Sequence, residues 1–291
     1  MKWIIDLIVA FHAALPLNIS RLLGRCYGRF LYWSNSRIRK TTEINLRHCL
    51  PELPVQHRRS LTKESCLSTG MTITDSFWVW RRSIASINQR LTVSGSELIS
   101  KHLASGNGVI LTGAHVGCWE LMTLWTPQHF PFIALFRDAK VSEMNELLVK
   151  YRGKSGANMY SASAKNIKRV LKALKQNQVF AILSDQQPDP GSGVFAPFFG
   201  QPAYTMTLPH QLAKRCGSQI LFFDILRTKT GWHLSISQGS KLDETANKEA
   251  FATQLNANLE ALIRKDLAQF EWGYKRFKSP PDGDYDFYTE S

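Results

Sequence analysis

Cysteine is scarce and scattered. The five cysteines, Cys26, Cys49, Cys66, Cys118 and Cys216, form no CxxC pair. Neither a disulfide framework nor a zinc site is therefore expected, and the thiols read as reduced in a cytosolic compartment. The nucleophile elbow G-x-S-x-G, the phosphate loop G-x-x-x-x-G-K-S/T and the metalloprotease pair H-E-x-x-H are all missing, and Gly106-x-Gly108 has no third glycine. Serine-hydrolase, P-loop, zincin and dinucleotide signatures are thus excluded. No internal repeat or low-complexity linker occurs, and no apolar run reaches the roughly 20 residues of a comfortable membrane span. Acid is also short. Against 36 Lys+Arg stand 23 Asp+Glu, a net charge of +13 that suits an anionic partner.

What is present begins with an uneven charge. Between Arg21 and Glu64 lie ten basic residues and three acids, directly after an apolar N-terminus. Basic charge beside an apolar segment fits an anionic membrane surface better than a nucleic-acid groove. The stretch Trp3–Leu17 is mostly apolar, broken by Asp6, His12 and Pro16. With Lys2 as its only basic lead and no small-residue cleavage site, it does not read as a signal peptide. It reads as an interfacial anchor helix, with a span or a buried first helix as alternatives. Leu22, Leu23, Tyr27, Phe30, Leu31 and Trp33 then recur mostly at three and four with arginines between them, an amphipathic, cationic helix of the kind that lies in a lipid interface. Helical periodicity continues over 57–90, with the aromatic cluster Phe77, Trp78 and Trp80 serving either as core or as an acyl-chain contact.

From about residue 91 strands alternate with helices. Short apolar runs at Gly108–Thr112, Phe132–Phe136, Val179–Leu183, Ile220–Leu226 and Trp232–Ile236 are separated by helical patterns at 118–126, 142–152, 164–176, 205–216 and 246–268. The expectation is an α/β fold, a mixed and largely parallel sheet flanked by helices, with a helical membrane-facing N-terminal region. The chain divides accordingly: 1–20 as membrane anchor or interfacial helix, 21–90 as a basic amphipathic helical region, 91–291 as the α/β catalytic domain.

The segment richest in chemistry is Gly108-Val-Ile-Leu-Thr-Gly-Ala-His115-Val-Gly-Cys-Trp-Glu120, a strand running through a glycine-containing turn into a helix. Five residues on one ideal helix rotate by roughly 500°, so His115 and Glu120 meet only if His115 sits in the turn and Glu120 in the first helical turn. Glu120 would then hold one imidazole nitrogen and leave the other as a base for acyl transfer. H-x4-E on its own is a weak motif, and spacing alone slightly favours a capping histidine and a solvent-facing glutamate. Cys118 offers a covalent thioester route as a remote alternative.

Four segments carry a family resemblance. They are Asn45–Pro54, His115–Glu120, Ser184-Asp-Gln-Gln-Pro-Asp-Pro-Gly-Ser-Gly-Val-Phe-Ala-Pro-Phe-Phe-Gly200 and Gln269-Phe-Glu-Trp-Gly-Tyr-Lys-Arg-Phe-Lys278. The chain resembles the bacterial lipid A biosynthesis acyltransferases, the late acyltransferases that add secondary acyl chains to lipid A precursors. The resemblance implies His115 and Glu120 as the catalytic pair, and Arg137, Arg152, Asp185 and Gln186 as substrate-binding residues. Arginines at strand or helix ends suit phosphate, and Asp185 would orient an arginine or bind the sugar; surface salt bridges and a turn cap are the plainer readings. Asp138 stands where the family places a proline after Arg137. The aromatic loop 188–200 either lines an acyl groove or fills the core, and Trp272, Tyr274, Arg276 and Phe277 read as packing residues.

The same resemblance implies an acyl-carrier protein (or acyl-CoA) donor, a glycolipid or phospholipid acceptor, no metal or organic cofactor, no nucleic acid, and a place on the cytoplasmic face of the inner membrane. An acidic carrier would dock naturally on a basic enzyme. Acylation of another lipid, such as a lysophospholipid, a glycolipid or a polyene lipid, is the alternative function. A non-enzymatic lipid-binding protein is the remote one.

Overall fold

The structure, a computed structural model, describes residues 2–137, 142–240, 242–243, 245–281 and 287–289; Asp138 lies outside them. Four helices come first: α1 (Lys2–Ala14), α2 (Leu17–Trp33), α3 (Arg37–Cys49) and α4 (Val55–Arg81), followed by the short α5 (Ile84–Asn88). The alternating part runs β1 (Leu91–Ser94), α6 (Glu97–Ala104), β2 (Val109–Gly117), α7 (Leu121–Trp125), β3 (Phe132–Phe136), α8 (Ser142–Arg152), β4 (Asn158–Ser161), α9 (Ala164–Lys175) and β5 (Val179–Leu183). It closes with β6 (Gly193–Phe198), β7 (Gln201–Met206), α10 (Leu208–Cys216), β8 (Gln219–Arg227), β9 (Trp232–Ser237) and α11 (Lys248–Arg264).

Seven strands form one sheet in the order β1-β9-β8-β2-β5-β3-β4. Every neighbouring pair is parallel except β8 with β9. The expected mixed, largely parallel sheet is therefore present, and the reason is visible in its strands. Apolar residues point to both faces, as strands covered on both sides require. Ile110, Phe180, Ile220 and Phe222 enter a core shared with α9, α10, α11 and the C-terminal aromatics. Val109, Leu111, Val179, Ala181, Leu221 and Phe223, one residue out of phase, enter the opposite core with α1, α4, α7 and α8.

Where expectation and structure differ, short or irregular strands are responsible. The four-residue strands β1 and β4 carry too little alternation to register. The Gly/Pro-rich segment after Pro188 folds as the antiparallel hairpin β6–β7. Its Phe198 and Phe199 are buried against Phe270, Trp272 and Phe277 and fill the core, while Phe195 is half-buried against Tyr204.

The N-terminal helices are tied to the sheet by charge. Asp75 of α4 is fully buried and receives Arg21 Nε of α2 at 2.8 Å, Arg227 Nε of β8 at 2.8 Å and Trp232 Nε1 of β9 at 3.0 Å. Close approach of α2 and α4 depends on glycine: a Cβ on Gly70 would lie 2.1 Å from the carbonyl oxygen of Gly24. At about 20 Å long, α1 falls short of a hydrocarbon core, and among the described residues no helix is long and apolar enough to cross a membrane. Together α1 and α2 leave Trp3, Leu7, Phe11, Leu22, Phe30 and Trp33 exposed on their outer side.

Candidate active site

Parallel strands β2 and β5 run side by side with Gly113 opposite Leu183, so the residues that follow each strand's pairing emerge together at the carboxyl edge of the sheet. That edge is where open α/β sheets place ligands. On its other side β2 pairs with β8, and here it bulges: Gly113 faces Phe223 and Gly117 faces Ile225, so four steps on β2 match two on β8. His115 lies inside this bulge, which re-aims its side chain out of the sheet. Gly117, at φ +61°, turns the chain towards α7; a Cβ there would sit 2.1 Å from the Ile225 carbonyl oxygen. His115 thus belongs to the irregular end of a strand rather than to a turn, and Glu120 stands immediately before α7.

The imidazole is held by Asp185. Its Nδ1 lies 2.8 Å from Asp185 Oδ1, and the His115 backbone N–H donates to Oδ2 at 3.2 Å. A carboxylate only accepts, so Nδ1 carries the proton and Nε2 keeps its lone pair. The Gln186 side-chain nitrogen lies 3.4 Å from that Nε2, and Trp119 packs edge-on against the ring at 5.2 Å. Burial works against a charged His115, but the Asp185 carboxylate, aided by Glu271, outweighs burial and the opposing Arg152 and raises its pKa. The β2–β5 register also brings Thr112 Oγ1 to 2.7 Å from Ser184 Oγ, fixing the strand ends that carry the pair.

Glu120 does not touch the imidazole. Its buried carboxylate takes both Nε (2.8 Å) and Nη2 of Arg152, at the end of α8, and the indole N–H of Trp80 at 3.1 Å. Trp80 lies flat on Tyr151, rings 5.4 Å apart and 3° from parallel. The expected Glu120–imidazole contact is therefore absent: Glu120 is close to His115 in sequence, but the bulge and the Gly117 turn carry the two side chains to different partners.

His115, Glu120 and Arg152 nevertheless share one cavity of about 320 Å³. Ile73, Phe77 and Trp80 of α4 and Leu148 of α8 give it apolar walls, and Phe270 and Glu271 close another side. Arg137, by contrast, does not line the cavity; its guanidinium pairs with Asp189, both more than half exposed. Cys118 is fully buried, and burial pushes its thiol well above the usual range, which removes it as a thiolate nucleophile.

Glu271 also belongs to the cavity lining. It sits in the aromatic C-terminal segment expected to pack, and Trp272, Arg276 and Phe277 around it are buried. Arg276 donates to the Tyr204 carbonyl at 2.7 Å and to Thr205 Oγ1 at 2.9 Å, pinning that segment to β7. The signal for Glu271 was the lone acid among these aromatics and bases.

A family profile described as bacterial lipid A biosynthesis acyltransferase matches residues 1–279. The chain is 27% identical over 278 residues to the lipid A biosynthesis acyltransferase of Haemophilus influenzae, covering 92% of this chain and 87% of that protein. It is 28% identical over 273 residues to the lipid A biosynthesis lauroyltransferase of Escherichia coli, covering 92% and 88%. To the lipid A biosynthesis palmitoleoyltransferase of Escherichia coli it is 24% identical over 279 residues, covering 94% and 90%.

Proposed function

The chain belongs to the bacterial lipid A biosynthesis acyltransferase family and is an acyltransferase; from that premise we propose that it acylates a hydroxyl of a lipid A precursor, using His115 as general base. The observation that carries this reading is His115, held at Nδ1 by Asp185 and lining a largely apolar cavity. The acceptor hydroxyl gives its proton to His115 Nε2 as its oxygen attacks the thioester carbonyl carbon. The new C–O bond forms, the C–S bond breaks, and the departing thiolate takes the proton back from the imidazolium. Asp185 keeps the productive tautomer and stabilises the imidazolium, the role a buried carboxylate plays beside a catalytic histidine.

Glu120 acts in this scheme through Arg152. Its carboxylate orients the guanidinium, whose Nη1 has no hydrogen bond among the described residues and serves the developing oxyanion. The apolar walls from α4 and α8 receive the acyl chain. Arg137, whose exposed pair with Asp189 is weak, exchanges that partner for a phosphate of the acceptor, and Gln186 steadies the hydroxyl at Nε2.

The donor in this proposal is an acyl-carrier protein drawn by the +13 charge, with acyl-CoA as the substitute. Residues 1–20 and 21–90 serve as interfacial anchor and cationic amphipathic region, seating the enzyme on the cytoplasmic face of the inner membrane through Trp3, Phe11, Phe30 and Trp33. Residues 91–291 form the catalytic domain. The test is transfer of a radiolabelled acyl group from acyl-carrier protein to a lipid A precursor, with wild type and His115→Ala side by side. Loss of about 10²-fold or more in the variant is expected for removal of a general base. A wild type that ignores the precursor but acylates a lysophospholipid or another glycolipid would move the acceptor assignment and leave the chemistry standing.

A further inference from the structure

The segment after α11 crosses the bulge of β2. Val116 and Phe270 form an isolated antiparallel bridge, and the Glu271 N–H donates to the His115 carbonyl oxygen at 3.1 Å. A second backbone bond, from the Tyr274 N–H to the Glu271 carbonyl oxygen at 3.2 Å, turns the chain and fixes residue 271 from the other side. Its main chain is thereby locked to His115, the residue lines the same cavity, and its carboxylate is near enough to the imidazole for the two charges to interact.

The polar groups of that cavity are largely spoken for. Glu120 and Arg152 hold each other, Trp80 holds Glu120, and Asp185 holds His115 Nδ1. Among the described residues the Glu271 carboxylate accepts no hydrogen bond and forms no ion pair, although the residue is half-buried. Burial raises its pKa, with Asp185 adding and His115 opposing. A carboxylate kept in a largely apolar pocket without a partner is costly unless a ligand supplies one.

We infer that Glu271 contacts the acceptor, its carboxylate receiving a hydrogen bond from a second hydroxyl or an amide N–H beside the hydroxyl that His115 deprotonates. The inference rests on the acyl-transfer reading. The acceptor is chosen over the donor on chemistry: a saturated acyl chain at its thioester carries no N–H or O–H at the reacting carbon, whereas sugar hydroxyls and amides flank the reacting hydroxyl of a glycolipid. The same carboxylate repels an acceptor with a phosphate next to its hydroxyl, which makes Glu271 a specificity device as well as a contact.

The experiment uses the full-length enzyme, acyl-carrier protein charged with a radiolabelled acyl group, and a lipid A precursor at varied concentration. Wild type, Glu271→Gln, Glu271→Ala and His115→Ala are compared, each with its thermal unfolding midpoint recorded. For Glu271→Ala the acceptor KM rises about tenfold, the scale of a lost charge-assisted hydrogen bond, while kcat changes less than about threefold. Glu271→Gln falls between, and raises the ratio of kcat/KM for lysophosphatidic acid over the precursor.

The isosteric Glu271→Gln gives a second readout. Asp185 and Glu271 bear on His115 as anions, Arg152 as a cation, and Glu120 shares the cavity. Removing one anion moves the acid limb of the kcat/KM profile to lower pH. An acceptor KM within twofold of wild type in both variants, with an unmoved acid limb, overturns the inference. A His115→Ala variant as active as wild type sinks the general-base reading instead, so the two failures are separable.

Discussion

Asp185 Oδ1 lies 2.8 Å from Nδ1 of His115, a residue 70 positions earlier in the chain. The carboxylate also accepts the backbone N–H of the same histidine, so side chain and main chain are fixed by one acid. Asp185→Asn should therefore lower kcat by about 10²-fold or more, because an amide can donate to Nδ1 and stabilise the wrong tautomer. Acyl-transfer assays on the purified variant, with circular dichroism to show an intact fold, check this. Activity within threefold of wild type would refute the assignment.

The pH dependence has a definite sign. As the proposed general base His115 would work unprotonated, and its pKa is raised because Asp185 and Glu271 outweigh burial and Arg152. Activity should therefore be lost as pH falls, with the acid limb of kcat/KM displaced upward from the ordinary histidine value. In Asp185→Asn the residual activity should show this acid limb displaced to lower pH. A limb at the same pH in both proteins would mean that Asp185 does not set the basicity of His115.

Arg152→Ala leaves the Glu120 carboxylate buried with the Trp80 N–H as its one remaining partner among the described residues. Breaking a buried pair from one side costs about 3–5 kcal/mol, so denaturant unfolding should show a loss of that order, somewhat reduced by the partial exposure of Arg152. The double variant Glu120→Gln with Arg152→Met, which removes both charges, should recover much of the stability and none of the activity. Recovery of both would reduce the pair to a structural role.

Trp33 and Phe30 of α2 are more than two-thirds exposed, beside Arg25 and Arg29 in the same helix. Burying such aromatics in lipid is worth about 1.5–3 kcal/mol each. Phe30→Ser with Trp33→Ser should thus weaken sedimentation with anionic vesicles by at least about tenfold. If binding to the vesicles is unchanged, the exposed face of α1 and α2 is not the docking surface.

Much of the architecture is legible in the sequence. Val179–Leu183 and Phe132–Phe136 are strands with the bounds their apolar runs suggest, because period and composition are local properties. The same holds for the alternation that implies a largely parallel sheet, and for the amphipathic, cationic pattern of α2. His115, Glu120, Arg152 and Asp185 were all visible as residues of interest.

Their pairing was not. Sequence proximity joins His115 to Glu120, yet the structure gives His115 to Asp185 and Glu120 to Arg152. Glu271, some 156 positions beyond His115, reaches the same cavity through a single backbone bridge. By itself the sequence determined the elements, their apolar faces and the inventory of reactive side chains, since each depends on neighbours a few residues away. Only the tertiary structure decided which acid serves the histidine. That choice depends on the β2–β5 register, the bulge in β2 and the positive φ of Gly117, and a strand's register is set by packing across the sheet rather than by the strand's own residues.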